Sequence, residues 1–414
     1  MEERQTNIDR RRFLKTVGAA GLTGSLALSS CKAKDQDTPA EPNITEEKKQ
    51  IVLPTRPFGR TGIKVPVLSL GMMFDALEKQ FVLRRALQLG VTYWDTAHVY
   101  SGGNSELGVG KFLSKNPEIR KDLFIASKAS MTKTIADVEK RLQTSLKRMQ
   151  TDYIDLYFLH DIKGTRRLTD ELRDWAAGAK KRKLIRFFGF TMHKTITECL
   201  EFGAGLDWID AIMHSYNFRL MQDEKLNAAV DACHKAGIAL IAMKTQGQGA
   251  AKKIKTGADK KVVAHFLERG FTVGQAKLKA VLADRRFANA CVGRDNIKHL
   301  ALNVAAAIDK TKLTQEDIDA LTEYARATCS GYCAGCSRIC DDALPHMPYV
   351  SDVMRYLMYY NSYGERRSAR ELFAQIPAGP RSRLLATDYT PAEARCPQHL
   401  PIQKLIAEAV SKLT

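Results

Sequence analysis

Several things this chain lacks narrow its reading. No Gly-x-Gly-x-x-Gly follows its first strand-like run, so the fingerprint of an open dinucleotide-binding sheet is missing. The net charge is +18, yet no dense basic run with interleaved aromatics occurs; lysines and arginines are interleaved with acids along helix-like segments, and nucleic acid is excluded as the partner. The N-terminal apolar run, residues 16–27, is softened by glycines and too short to span a bilayer, which takes about 18 apolar residues. The nine cysteines form no disulfide framework: Cys199, Cys233 and Cys291 lie singly in apolar contexts as buried thiols, and five others crowd beyond residue 328, the usage of a metal site. Acidic residues are the scarcer charge, 46 against 64 basic, a balance suited to an anionic cofactor or an anionic lipid surface.

What is present is enough for one large domain with additions at both ends. The 414 residues are 44% hydrophobic, ordinary for a chain with a substantial core. The first 31 residues stand apart from the fold. Asp9-Arg10-Arg11-Arg12-Phe13-Leu14-Lys15 resembles the twin-arginine export motif, and Leu28-Ser29-Ser30-Cys31 resembles a lipobox in which Cys31 would be lipidated. These segments imply export, with the product either periplasmic or anchored to the membrane through Cys31. Residues 32–50 are polar, charged and proline-containing, and read as a disordered linker.

From 67 to 310, short apolar runs alternate with amphipathic helices. The runs are 67–72, 92–97, 123–128, 154–160, 185–191, 211–216, 239–244 and 289–293. Eight such units predict an α/β fold, a parallel (β/α)8 barrel within residues 51–312. Active sites of this barrel sit at the C-terminal ends of the strands. Polar residues there carry weight: Asp95 closes the second run and Tyr100 follows on the loop, Lys128 ends the third, and His160 ends the fourth.

The stretch Gly90-Val-Thr-Tyr-Trp-Asp95-Thr-Ala-His-Val-Tyr100 resembles the signature of the aldo/keto reductases, and Asp95, Tyr100, Lys128 and His160 match that family's catalytic tetrad in order and spacing. Arg56-Pro-Phe-Gly-Arg-Thr-Gly62 resembles the hairpin that closes the bottom of its barrel. The resemblance implies hydride transfer between NADP(H), or NAD(H), and a small carbonyl or alcohol substrate. Tyr100 would be the general acid, its pKa lowered by the Lys128 ammonium; Asp95 would hold Lys128, and His160 would orient the substrate oxygen. Thr191 and Asn217 are implied at the nicotinamide amide, Gly293 and Arg294 at the adenosine end, and Asn303 near the adenine. Arg294 suits a 2′-phosphate and favours NADP. The chain departs from the family where a glutamine would precede the Tyr216-Asn217 pair: Met213 stands there and cannot supply an amide, with His214 the alternative.

Beyond the barrel, Cys329-Ser-Gly-Tyr-Cys333-Ala-Gly-Cys336-Ser-Arg-Ile-Cys340 and the later Cys396-Pro397 resemble a ferredoxin motif, and residues 313–414 look like the ferredoxin-like, mainly helical tail that some aldo/keto reductases carry. The resemblance implies a [4Fe–4S] cluster held by Cys329, Cys333, Cys336 and Cys396, with a redox partner protein. The competing assignment replaces Cys396 by Cys340, and zinc is the alternative metal. A rival reading of the whole is a non-catalytic exported electron-transfer or interaction module on a retained barrel.

Overall fold

Each of the eight apolar runs becomes a strand because both of its faces find cover. In the computed structural model, which describes residues 51–249, 257–293 and 296–414, the strands are β3 (Leu68–Gly71), β4 (Tyr93–Asp95), β5 (Phe124–Ala129), β6 (Ile154–Ile162), β7 (Ile185–Met192), β8 (Ala211–Ser215), β9 (Ala239–Met243) and β10 (Phe287–Gly293). Neighbours pair in parallel, and β10 pairs with β3 to close the barrel. Every residue of β4 and β5 is buried, as expected of strands lined by side chains within and helices without. Gly189 is required where β7 meets β8, since a Cβ there would come within 1.9 Å of the Ala211 carbonyl oxygen.

Phe58, Tyr93, Phe124, Phe158, Met213 and Ile241 fill the lumen. A short hairpin of β1 (Thr55–Pro57) and β2 (Lys64–Pro66) closes the bottom, where Phe58 packs edge-on against Phe124 at 5.3 Å between ring centroids. Helices follow the strands on the outside, and several are started by reciprocal caps. Thr134 with Asp137, Thr272 with Gln275 and Thr314 with Asp317 each satisfy two backbone N–H groups at a helix start.

The cysteine-rich tail is helical, as its sequence predicts. Helices Ser337–Ala343, Val350–Met358, Arg366–Ala374, Ala378–Arg383, Thr390–Arg395 and Ile402–Leu413 gather around a second core that includes Met347, Val353, Leu357, Phe373, Leu384, Tyr389 and Ile406. Leu53–Thr414 packs as one unit, and the tail lies against the C-terminal ends of the strands. Gly335 makes this approach at φ +81, where a Cβ would meet the His193 carbonyl oxygen at 2.4 Å. The twin-arginine motif, the lipobox cysteine Cys31 and the linker lie outside the described residues.

Candidate active site

β4 and β5 lie side by side, with Asp95 paired to Ala126 in register, so the ends of both strands open on the same mouth. There the Lys128 ammonium donates to Asp95 Oδ1 at 2.5 Å and to the Thr96 carbonyl at 2.6 Å. Both side chains are almost wholly buried. Burial pushes the Asp95 carboxyl above its ordinary range, and Lys128 opposes it. Tyr100 begins a tight turn, Tyr100–Gly103, with its ring 4.8 Å from the Lys128 ammonium and 5.8 Å, edge-on, from the His160 ring.

The Tyr100 pKa runs opposite to the sequence-based expectation. Burial and the Asp95 carboxylate push it well above its ordinary value. Lys128 meets the ring rather than the hydroxyl, and its charge is already engaged by Asp95 and a carbonyl. The phenol is therefore held as a neutral donor.

His160 owes its aim to an irregularity. The pairing of β6 with β7 shifts register between Leu159 and Ile162, and Asp161 adopts φ +52. Such a bulge re-aims side chains at a strand end. The Asp161 N–H donates to Thr191 Oγ1 at 2.9 Å, and Ser130 Oγ hydrogen-bonds His160 Nδ1 at 2.5 Å. Nε2 is left for the mouth. Burial lowers the His160 pKa to about 3, so the ring is neutral at physiological pH.

The tail reaches this bulge. Arg355 donates to Asp161 at 3.0 Å and to Asp352 at 3.1 Å; Lys163 reaches both acids, and Lys194 pairs with Asp352 at 2.7 Å. Arg355 stands 194 residues from Asp161, and nothing in the local sequence marks the pair. Ser130, two residues past Lys128, carries a local signal that the motif reading passed over.

Above the tetrad opens a cavity of about 1510 Å³ lined by Asp95, Tyr100 and His160, and by Tyr356 and Tyr359 from the tail. Gly293 and Asn303 line it too, beside Thr272, Gly274 and Gln275 at the start of helix Val273–Ala283. Thr191 and Asn217, expected at the nicotinamide amide, do not line it. Thr191 accepts from Asp161, and Asn217 Nδ2 donates to the Lys244 carbonyl at 3.2 Å and to the tail's Tyr332 hydroxyl at 3.0 Å. His214, the alternative, packs beside the stacked Tyr216 and Phe287 rings and does not line the cavity. Met213 does line the cavity, as the departure implies, and Arg294 lies outside the described residues.

The cysteines regroup. Cys333 and Cys336 each lie within electrostatic reach of Cys340, of Cys396 and of each other, and Cys333, Cys340 and Cys396 pack against the tail core. Cys329 sits instead beside Arg219. Among the described residues no three potential ligands stand close enough to share a metal ion as arranged here.

A closed eight-stranded parallel barrel with this group at its mouth defines a class, and sequence comparison names it: the chain belongs to the aldo/keto reductase family of oxidoreductases, whose profile matches residues 69–326. Among individual relatives, the chain is similar to L-galactose dehydrogenase of Arabidopsis thaliana, 25% identical over 305 residues covering 65% of this chain and 94% of that protein. L-glyceraldehyde 3-phosphate reductase of Escherichia coli O157:H7 is 24% identical over 317 residues, 62% of this chain and 88% of that one. Of solved structures, the thermostable aldo-keto reductase Tm1743, in complex with the inhibitor epalrestat, superposes with a TM-score of 0.54 at 25% identity, covering 66% of this chain and all of that one. An aldo-keto reductase of Klebsiella pneumoniae in complex with NADPH shares the fold, with a TM-score of 0.53 at 23% identity over 66% of this chain and 95% of that one.

Proposed function

We propose that the protein reduces the carbonyl group of a small substrate, or oxidises the corresponding alcohol, with a nicotinamide cofactor and with Tyr100 as the acid. The observation that carries this reading is the Asp95–Lys128–Tyr100–His160 group at the floor of the mouth cavity. The cofactor would supply the hydride. Residues present fit its binding: Thr272, Gly274 and Gln275 bring the start of helix Val273–Ala283, whose positive dipole end suits a phosphate, to the cavity, and Gly293 and Asn303 line the same cavity. Arg294 supports the preference for NADP over NAD.

As hydride reaches the carbonyl carbon, charge builds on the oxygen. Tyr100, kept protonated by burial, donates its proton there. His160, neutral and tied at Nδ1 to Ser130, presents Nε2 to the same oxygen. Lys128 stands beside the phenol ring and stabilises the tyrosinate as it forms, while Asp95 fixes Lys128 in place. Deuterium-labelled NADPH tests the reading: label recovered in the alcohol carbon of a reduced aldehyde supports it, and label recovered nowhere but in water or unspent cofactor overturns it.

The tail reading is carried forward with one ligand exchanged. Cys340 takes the place of Cys329, so Cys333, Cys336, Cys340 and Cys396 would hold one [4Fe–4S] cluster; these thiols fit in number and kind, three of them packing against one core and Cys336 within electrostatic reach of Cys333 and Cys396. Metal binding would deprotonate these thiols, and they must close in from the arrangement described above. Electron exchange with a partner protein follows from that cluster. Export by the twin-arginine route, with lipidation at Cys31, completes the proposal and rests on the sequence motifs alone.

A further inference from the structure

Lys244 follows β9 at the mouth, in a left-handed backbone conformation at φ +55. Its carbonyl accepts from Asn217, which fixes the residue and sends its side chain toward the tail. There the ammonium lies 5.3 Å over the Tyr359 ring and borders both the mouth cavity and a small cavity of about 30 Å³ behind it. Tyr359 is itself within electrostatic reach of Tyr100.

Among the described residues no carboxylate is paired with this cation. The nearby carboxylates are already engaged: Asp161 by Arg355 and Lys163, Asp352 by Arg355, Lys163 and Lys194. The same wall holds two buried nitrogens without hydrogen-bond partners, Arg355 Nε and His193 Nδ1, and both residues border both cavities. A half-buried ammonium that borders a cavity without a carboxylate partner, beside unpartnered nitrogens, is a place where an anion can be held.

We propose that Lys244 recognises an anionic group, a carboxylate or phosphate, carried by the carbonyl substrate, so that the preferred substrates are anionic carbonyl compounds. The inference rests on the carbonyl-reductase reading above and deepens it. A phosphate of the cofactor is the other source of the same chemistry. The position over Tyr359, which neighbours the proton donor, favours the substrate.

Two aldehydes of matched shape test it, 4-carboxybenzaldehyde and 4-methylbenzaldehyde, together with terephthalate, which keeps the ring and anion but has no aldehyde. Wild type is expected to prefer the carboxylated aldehyde in kcat/KM. Lys244→Met is expected to erase that preference by about 10- to 100-fold, the scale of a charge-assisted hydrogen bond, and to lose terephthalate binding in calorimetry. Lys244→Arg is expected to keep most of both. Equal losses on the two aldehydes in Lys244→Met overturn the proposal, as does a raised NADPH Kd with the preference intact, which would assign Lys244 to the cofactor. Terephthalate binding that depends on Lys244 in a protein reducing no aldehyde would support the anion site and sink the reductase reading. Aldehyde reduction without preference or terephthalate binding would do the reverse.

Discussion

Replacing Arg355 by methionine removes one cation from a buried network and leaves its two acids in place. Arg355 and Asp352 are each about 8% exposed as side chains and Asp161 23%, so water restores little of what is lost. Breaking a buried ion pair from one side costs about 3–5 kcal/mol. Lys163 still reaches both acids and Lys194 still reaches Asp352, so the expected loss is at the lower end, about 3 kcal/mol. Burial pushes the Asp161 carboxyl up, but Arg355 and Lys163 outweigh it and hold it well below the ordinary carboxylate range. A depressed carboxylate contributes stability above its unfolded pKa of about 4 and loses it as pH falls toward the folded value. Without Arg355 the Asp161 value rises, so the deficit of the variant is full near neutrality and shrinks below about pH 4. Denaturant unfolding followed by tryptophan fluorescence reads this against Arg367→Met, which removes the partner of Glu371 from a site 91% exposed and is expected to change stability by under about 0.5 kcal/mol. Equal stability of the two variants at pH 7, or a deficit independent of pH, refutes the clamp.

Lys128→Met leaves Asp95 buried without its ion pair and is expected to lose both activity and stability, whereas adding Asp95→Asn recovers much of the stability and none of the activity; unfolding and kinetic assays separate the two. Cys396→Ser and Cys340→Ser are expected to lose iron and brown absorbance after anaerobic purification while Cys329→Ser keeps both; iron retained in Cys340→Ser and lost in Cys329→Ser would restore the assignment read from sequence. Arg10→Lys with Arg11→Lys is expected to leave the protein in the cytoplasm, and unchanged delivery to the envelope in fractionation would remove the export signal.

The strands were legible because parallel barrel strands are covered on both faces and read as unbroken apolar runs; all eight fell within a few residues of their places. Lys128 and His160 stood out because they interrupt such runs at their C-terminal ends, and the structure brings them together with Asp95 and Tyr100. What escaped the sequence was contact at a distance. Tyr332, 115 residues from Asn217, takes up an amide that motif matching assigned to the cofactor. Arg355 clamps a bulge that no pattern in Asp155-Leu-Tyr-Phe-Leu-His160 announces. Among the cysteines, counting gaps set Cys340 against Cys396 as alternatives, but helix Ser337–Ala343 packs against Thr390–Arg395, which Cys396 follows, and so carries Cys340 toward Cys396.

The proton-donor role of Tyr100 is tested most directly by Tyr100→Phe, a change that keeps the ring against Lys128 and His160 and removes only the hydroxyl. With NADPH and an aldehyde that wild type reduces, kcat/KM is predicted to fall by about 10²- to 10⁴-fold, with NADPH affinity and unfolding midpoint close to wild type. A variant that reduces every such aldehyde at the wild-type rate would contradict the account.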